Sequence, residues 1–371
     1  MSCIQRTSCF LLCILLLCAC DTTLEASPTP TISPASQPAL LYLRADSPGG
    51  EMEMVLRRGL ADPGRVLSYH PPADCAIWGL HPAPRGLWVA IELDCGNGMT
   101  VLQLDLETET ASLPAEAYGT DARFLAWMPD GEQLYLQVDT LGDPKVIQVE
   151  VSSGRSEILP FPATLDDLAV MPDGQSVLYA TSRGMGPGSE LWLAELDGSP
   201  LHRLIADPDH LVARARPSPR GDRIAYILMP DSQVPFTVGQ LWVMDADGGN
   251  AHLLGDADAG HGYAPVWSSD GKQVAIVVRD NPDDAEANTS AGALVSNLSV
   301  LDAERGEESY TTDFHDGYIE TPTWSPDSSA LVFNFIGNGT IIAWVSNLVE
   351  ETLQPLDKAP FSCCAVYLAD E

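Results

Sequence analysis

"PVWSSDGKQVAIVV", residues 265–278, places an aromatic strand ending, a polar tight turn and an alternating apolar run side by side. Val-Trp closes one strand, Ser-Ser-Asp-Gly reverses the chain, and Gln-Val-Ala-Ile-Val-Val opens the antiparallel partner. Asp and Gly supply the turn geometry, and β-branched residues suit a pleated, half-buried surface. The phrase recurs as "LAWMPDGEQLYLQV" from Leu125 and "PTWSPDSSALVFNF" from Pro322, with further copies in "GLHPAPRGLWVAI", "AVMPDGQSVLYAT" and "RPSPRGDRIAYIL". Aligned on Pro82, Pro129, Pro172, Pro219, Ser269 and Pro326, the copies step by 47, 43, 47, 50 and 57 residues. That spacing fits propeller blades and exceeds the period of ankyrin or tetratricopeptide helices.

A second phrase follows most copies, as in "ELWLAELDGSPLHRLI" and "QLWVMDADGGNAHLLG", with Asp-Gly at a hairpin tip. Each unit therefore supplies four short antiparallel strands. Such a sheet cannot bury both faces alone, and stacking units around an axis solves this. All eight Trp fall in these units, the placement of aromatics packing between blades: Trp127, Trp267 and Trp324 end first strands, Trp192, Trp242 and Trp344 lie in third strands, and Trp78 and Trp88 occupy the first copy. Ahead of the first copy, "ALLYLRAD", "GEMEMVLRR" and "GRVLSYHP" read as second, third and fourth strands lacking a first. After the last copy, "APFSCCAVYLAD" (359–370) is one strand without successors. Joined, they form one split blade. The fold class is all-β, a seven-bladed β-propeller closed by a split N-/C-terminal blade; six blades is the alternative if the degenerate Pro82 copy merges with its neighbour.

The phrase resembles the W-S-P-D-G-x-x-[IL]-A-[FY] repeat of TolB-like β-propellers, over essentially residues 39–371; the copies at Pro82 and Pro219 lack the Asp before Gly. The resemblance implies a propeller fold and a binding module for a protein or peptide at the cell envelope. The same blades also gate prolyl-oligopeptidase-type enzymes, so the resemblance specifies fold more tightly than function.

The first 38 residues have a different character. "FLLCILLLCA" (10–19) is an apolar run of ten, too short to span a bilayer as a helix. It suits the hydrophobic region of a secretory signal at 1–19. "LCAC" (17–20) resembles the bacterial lipobox, which makes Cys20 the acylated first residue of the mature chain. Residues 21–38 carry four prolines and many Ser and Thr with almost nothing to bury. They read as a semi-extended tether, within 20–38, reaching up to roughly 50 Å from the lipid. The expectation is an exported, extracytoplasmic monomer held to the cell membrane by N-terminal lipid alone, with the propeller at 39–371.

Fifty-two acidic against 19 basic residues give a formal charge of −33. Such a field repels phosphate backbones, which excludes nucleic acid as a partner. Beyond the signal, Cys75, Cys95, Cys363 and Cys364 remain, with no C-x-x-C pair. Cys75 and Cys95 flank the "PAPRG" turn almost symmetrically, so a hairpin sets them opposite each other within disulfide reach. Cys363 and Cys364 read either as a strained vicinal bridge or as two thiols.

The chain has no G-x-S-x-G elbow, H-E-x-x-H pair or P-loop, so no catalytic residue, cofactor or metal ligand is assigned. "DADGGN" (245–250) lacks the ligands of a calcium loop and reads as a hairpin turn. "NPDDAEANTSAG" (281–292) reads as a mobile acidic insertion, and the seven His read as exposed loop or strand-edge residues. The loops leading into first strands, "GTDARFLAW", "HLVARARPS", "GHGYAPVW" and "FHDGYIETPTW", would rim one mouth of the channel. They bring Arg123, Arg214, His261, Tyr263, His315, Tyr318 and Glu320 to a candidate binding face. The reading is a partner-binding propeller; the alternative is an enzyme or glycan-binding propeller with its site at the channel mouth.

Overall fold

The N-terminal strands β1 (Ala39–Ala45), β2 (Glu53–Arg58) and β3 (Arg65–Val66) pair in order, as their alternating apolar residues imply. Six four-stranded units follow. They are β4 (Ala76–Pro82), β5 (Trp88–Asp94), β6 (Met99–Asp105) and β7 (Thr110–Ser112); then β8 (Asp121–Trp127), β9 (Gln133–Asp139), β10 (Pro144–Glu150) and β11 (Ser156–Leu159). Next come β12 (Leu165–Val170), β13 (Ser176–Ser182), β14 (Ser189–Glu195) and β15 (Pro200–Asp207), followed by β16 (His210–Pro217), β17 (Arg223–Pro230), β18 (Gly239–Asp245) and β19 (His252–Ala257). The last two units are β20 (Val266–Trp267), β21 (Gln273–Arg279), β22 (Ser296–Asp302) and β23 (Glu308–Thr311), and β24 (Tyr318–Trp324), β25 (Ala330–Gly337), β26 (Thr340–Asn347) and β27 (Thr352–Pro355). β28 (Phe361–Tyr367) ends the order. This computed structural model describes residues 37–47, 50–113, 121–139, 142–182, 188–258 and 263–369. The signal, Cys20, the tether to residue 36 and His261 lie outside the described residues.

Among the described residues the sheets number seven, each of four antiparallel strands. First strands of neighbouring blades touch one another, so they stand around the common axis. The ring closes as the sequence implies: β28 pairs with β1, from Leu40 opposite Tyr367 to Ala45 opposite Phe361, and the sheet runs β28-β1-β2-β3. A second seam ties this blade to the last one. Arg57 Nη1 donates to the Leu356 carbonyl (2.8 Å), the Tyr42 hydroxyl donates to Asp357, and the Ala343 amide donates to Ser362 Oγ (3.0 Å).

The repeated phrase performs architecture. Its Trp reaches the previous blade: Trp127 Nε1 donates to the His81 carbonyl (2.9 Å), Trp267 Nε1 to that of Arg216 (3.0 Å), and Trp324 Nε1 to that of Val266 (3.0 Å). Its buried Ser clamps the turn. Ser268 Oγ donates to Asp270 Oδ1 (2.8 Å) and accepts the Gln273 amide (3.0 Å); Ser325 Oγ does the same with Asp327 (2.6 Å) and the Ala330 amide (2.9 Å). Its Gly takes a left-handed backbone and packs on the preceding turn. A Cβ at Gly131 (φ 75°) would stand 2.5 Å from the Arg85 carbonyl oxygen, which bars any other residue there.

Three sequence readings need correction. The Pro82 copy forms a complete blade, so the six-blade alternative falls. Its turn residue is Pro84, because the Ala83 amide bonds the Trp88 carbonyl (2.8 Å) just as Met128 bonds Gln133 in the next blade (2.8 Å). Pro82 instead fills the Trp position. Trp78 does not pack between blades: it is 70% exposed, because a bulge between Ile77 and Gly79 turns it out of the β4–β5 ladder. Finally, the 281–292 insertion folds back on itself. Asn281 Nδ2 donates to the Ala293 carbonyl (2.9 Å), Asn281 Oδ1 accepts the Val295 amide (3.1 Å), and Ala287 is fully buried.

Candidate functional site

Among the described residues, first strands of neighbouring blades pack against one another, so their N-terminal halves line one mouth. Every blade closes its first strand at an equivalent position, held by Trp127, Trp267 and Trp324 in three blades, Pro82 in β4 and Tyr367 in β28. Four residues earlier, one slot recurs around the mouth. Trp78, Arg123, Tyr263, Glu320 and Cys363 occupy it in five of the blades. Three of the seven residues expected at the binding face thus share this ring. Trp78 belongs to it too, and sequence reasoning missed that; its Ile-Trp-Gly setting in a strand was the available signal, since Gly in a strand often marks a bulge.

The structure divides the expected face into two groups. In the sixth and seventh blades, the Tyr263 hydroxyl donates to the Glu320 carboxylate, and Tyr318 lies within the field of the same carboxylate. Tyr263 packs against the apolar cluster of Val277, Leu298, Ile319 and Phe333, so it supports the blade interface as well as the mouth. Tyr318 also walls a cleft of about 360 Å³, bounded by Leu294 and Val295 just after the insertion and by Asn338 of the β25–β26 turn. His315 does not join this group. Its side chain is 76% exposed and faces Asp313 at 3.5 Å.

On the other side, Arg123 Nη2 donates to Gln137 Oε1 (2.6 Å). Near it, His81 Nε2 meets Glu92 Oε2 (2.8 Å), stacks on Phe124 (4.2 Å between ring centres) and gives its carbonyl to Trp127. His81 is therefore a half-buried wall residue, not the exposed histidine expected. Arg214, at φ 54°, stands 3.9 Å from Asp167, whose carboxylate is held by Arg216 through 2.7 and 3.3 Å contacts. Arg214 and Arg216 come from one blade and Asp167 from the one before, so this pair locks neighbouring first strands.

Cys75 and Cys95 form a disulfide with Cα atoms 4.0 Å apart. They extend the β4–β5 ladder one step past Ala76 opposite Asp94, directly behind the Trp78 bulge. The bond fixes the base from which Trp78 projects. Among the described residues no group of three or more His, Cys, Asp or Glu is arranged to hold a metal, and no helix is long and apolar enough to cross a membrane.

Burial raises the Glu320 carboxyl above its ordinary value of 4.5, and the Tyr263 hydrogen bond opposes part of that rise. Burial and the facing Glu320 likewise push the Tyr263 hydroxyl up. A carboxyl raised on folding binds more protons in the native state than in the unfolded one. Its contribution to stability is complete below the unfolded value and is lost as pH rises through the folded one. Glu320→Gln keeps an acceptor for Tyr263 and removes the ionisable group. The variant should melt higher than the parent at pH 7 and converge with it below about pH 4. Equal melting temperatures across that range would show that Glu320 ionises as freely as in water.

No protein-family model matches the chain, and no curated protein does. Solved structures do. TolB from Acinetobacter baumannii aligns over 90% of this chain and 67% of its own, at 14% identity and a TM-score of 0.54. A prolyl endopeptidase aligns over 86% of this chain and 48% of its own, at 12% identity and a TM-score of 0.58. An oligogalacturonate lyase in complex with manganese aligns over 85% and 84%, at 15% identity and a TM-score of 0.55. At such identities the likeness is one of fold: the chain shares the β-propeller architecture of TolB and of propellers that belong to enzymes.

Proposed function

We propose that this protein is an exported, lipid-anchored β-propeller that binds a protein or peptide partner at the cell envelope through the mouth built from its first strands. The observation that carries this reading is Trp78, a Trp 70% exposed on a bulged central strand and braced by the Cys75–Cys95 bond. A large rigid aromatic with a polar tip, exposed at small entropic cost, is the side chain most enriched at interface anchors. Arg123, exposed in the same slot of the next blade, adds a cation to the ring. The resemblance of the repeat to TolB-like propellers supports a partner of protein class.

Trp78→Ala is expected to weaken binding of the envelope partner at least about 30-fold, the equivalent of about 2 kcal/mol, with the melting temperature unchanged because the side chain packs on little. The measurement is a titration of solubilised native envelope over immobilised protein, with Arg220→Ala on the opposite mouth as comparison. Undiminished binding by Trp78→Ala, or loss only in Arg220→Ala, would place the binding face elsewhere.

The anchor reading rests on "LCAC" and the Pro/Ser/Thr tether behind it. Cys20→Ser should shift the protein from the membrane to the soluble fraction or halt its maturation. Continued fractionation with lipid, after cleavage at the same bond, would exclude Cys20 as the acylated residue.

A further inference from the structure

Cys363 and Cys364 lie in β28, the strand that closes the ring. In a regular strand successive side chains point to opposite faces, which would hold these two sulfurs well apart. Here the β28–β1 register shifts between Leu41 opposite Val366 and Leu43 opposite Cys363, and Cys364 adopts a left-handed backbone at φ 61°. The bulge is a feature of the architecture and recurs at the equivalent position in other blades, where Arg214 (φ 54°) and Thr321 (φ 48°) take the same conformation. Its consequence in β28 is chemical: the side chain of Cys364 swings to the side of Cys363, and the two sulfurs stand 2.7 Å apart. A bonded pair sits at about 2.05 Å.

We propose that Cys363 and Cys364 are a redox modification site, in which an adjacent-residue disulfide forms and reopens by exchange with an external small-molecule or protein disulfide. Cys364 is half-buried on the central strand and Cys363 is 8% exposed, so Cys364 reacts first. Its thiolate attacks one sulfur of the incoming disulfide, forming a mixed disulfide and expelling one thiolate. The Cys363 thiolate then attacks Cys364 Sγ and expels the second. The cysteines lose two electrons and two protons, and the oxidant leaves as two thiols, so the exchange balances. The Cys363 thiol and burial both raise the Cys364 thiol above its ordinary value, so the first attack is slow while the ring closure that follows is favoured by proximity.

The bond would differ in kind from Cys75–Cys95. Cys75–Cys95 joins two strands across 20 residues, whereas a bond between adjacent residues closes an eight-membered ring containing their own planar peptide, so that ring is strained and readily reduced. Its position gives it reach. The Cys364 amide donates to Asn334 Oδ1 (2.9 Å), and Asn334 Nδ2 donates to Thr321 Oγ1 (3.1 Å), which links the closing strand to the last blade one residue from Glu320. Opening or closing the bond therefore acts on the closure seam at the mouth.

The test is a glutathione redox titration of the folded chain, quenched with an alkylating agent and read by peptide mass. The expected result is a peptide spanning 359–371 that loses two hydrogens at oxidising ratios and regains them at a ratio that leaves Cys75–Cys95 intact. In Cys363→Ser, the remaining Cys364 should instead retain glutathione, since no neighbour can expel it. Two independently alkylated thiols at every ratio, glutathione retained on the parent chain, or a 363–364 bond no easier to reduce than Cys75–Cys95 would each overturn the proposal.

Discussion

Removal of residues 359–371 is expected to leave no stable monomer at neutral pH. Those residues contain β28, the first strand of the split blade, with Ala365 and Val366 in it and Leu368 just after it at most 8% exposed. Burying Val366 and Leu368 alone contributes about 3–6 kcal/mol at about 1.5–3 kcal/mol each. Natural domains are stable by only about 5–15 kcal/mol. The truncation also strips the inner edge of β1, whose Leu40, Leu41 and Leu43 are almost fully buried, and removes the Ser362 hydroxyl that accepts the Ala343 amide. An open apolar edge of that length is a template for intermolecular pairing. Size-exclusion chromatography should find the truncated chain aggregated or degraded, and far-ultraviolet circular dichroism should show a loss of cooperative unfolding. A monomer with the parent's melting temperature would mean that closure contributes little.

The second large effect concerns Asp258 and Arg279. Their side chains are 1% and 0% exposed, with Arg279 Nη2 2.5 Å from Asp258 Oδ1 and 3.4 Å from the Phe236 carbonyl. Among the described residues, Arg279 Nε and Nη1 meet no hydrogen-bond partner. The guanidinium is buried, and Asp258 at 2.5 Å compensates its charge. Asp258→Ala should cost about 3–5 kcal/mol, read from the denaturant midpoint, because it strands a buried cation. Replacing both, with Asp258→Leu and Arg279→Met, should recover most of that loss or exceed the parent, since paired desolvation often outweighs the attraction. A cost below about 1 kcal/mol for Asp258→Ala would show that water reaches the pair. An unrecovered double variant would assign the pair a specific role at the mouth beside Tyr263.

The sequence by itself determined the blades. Turn chemistry and strand alternation are local, so "WSSDG", "MPDGE" and "SPDSS" marked hairpins without reference to anything distant. The period counted the units, and "FSCCAVY" with "ALLYLRA" showed which termini meet, because each was a strand lacking its partner. The near-symmetry of Cys75 and Cys95 about one turn gave their pairing for the same reason. Even here a degenerate copy misled: Pro82 and Pro84 both fit the phrase, and only the Ala83–Trp88 hydrogen bond distinguishes them.

What only the tertiary structure decided is whatever depends on bulges and on contacts between blades. A one-residue bulge reverses side-chain direction from that point on; Gly79 was the one hint of that at Trp78, and no pattern in the sequence announced those at Arg214, Thr321 or Cys364. Trp78 was therefore read as packing when it is exposed, Tyr263 as a free rim residue when it also braces a core, and His315 as a neighbour of Glu320 when it turns to Asp313. Arg216 with Asp167, and Asp258 with Arg279, are ion pairs of residues far apart in sequence, selected by how strands stack around the axis. Local chemistry fixed the strands because it acts within a few residues; the mouth was settled by strand register and packing between blades, which no single segment encodes.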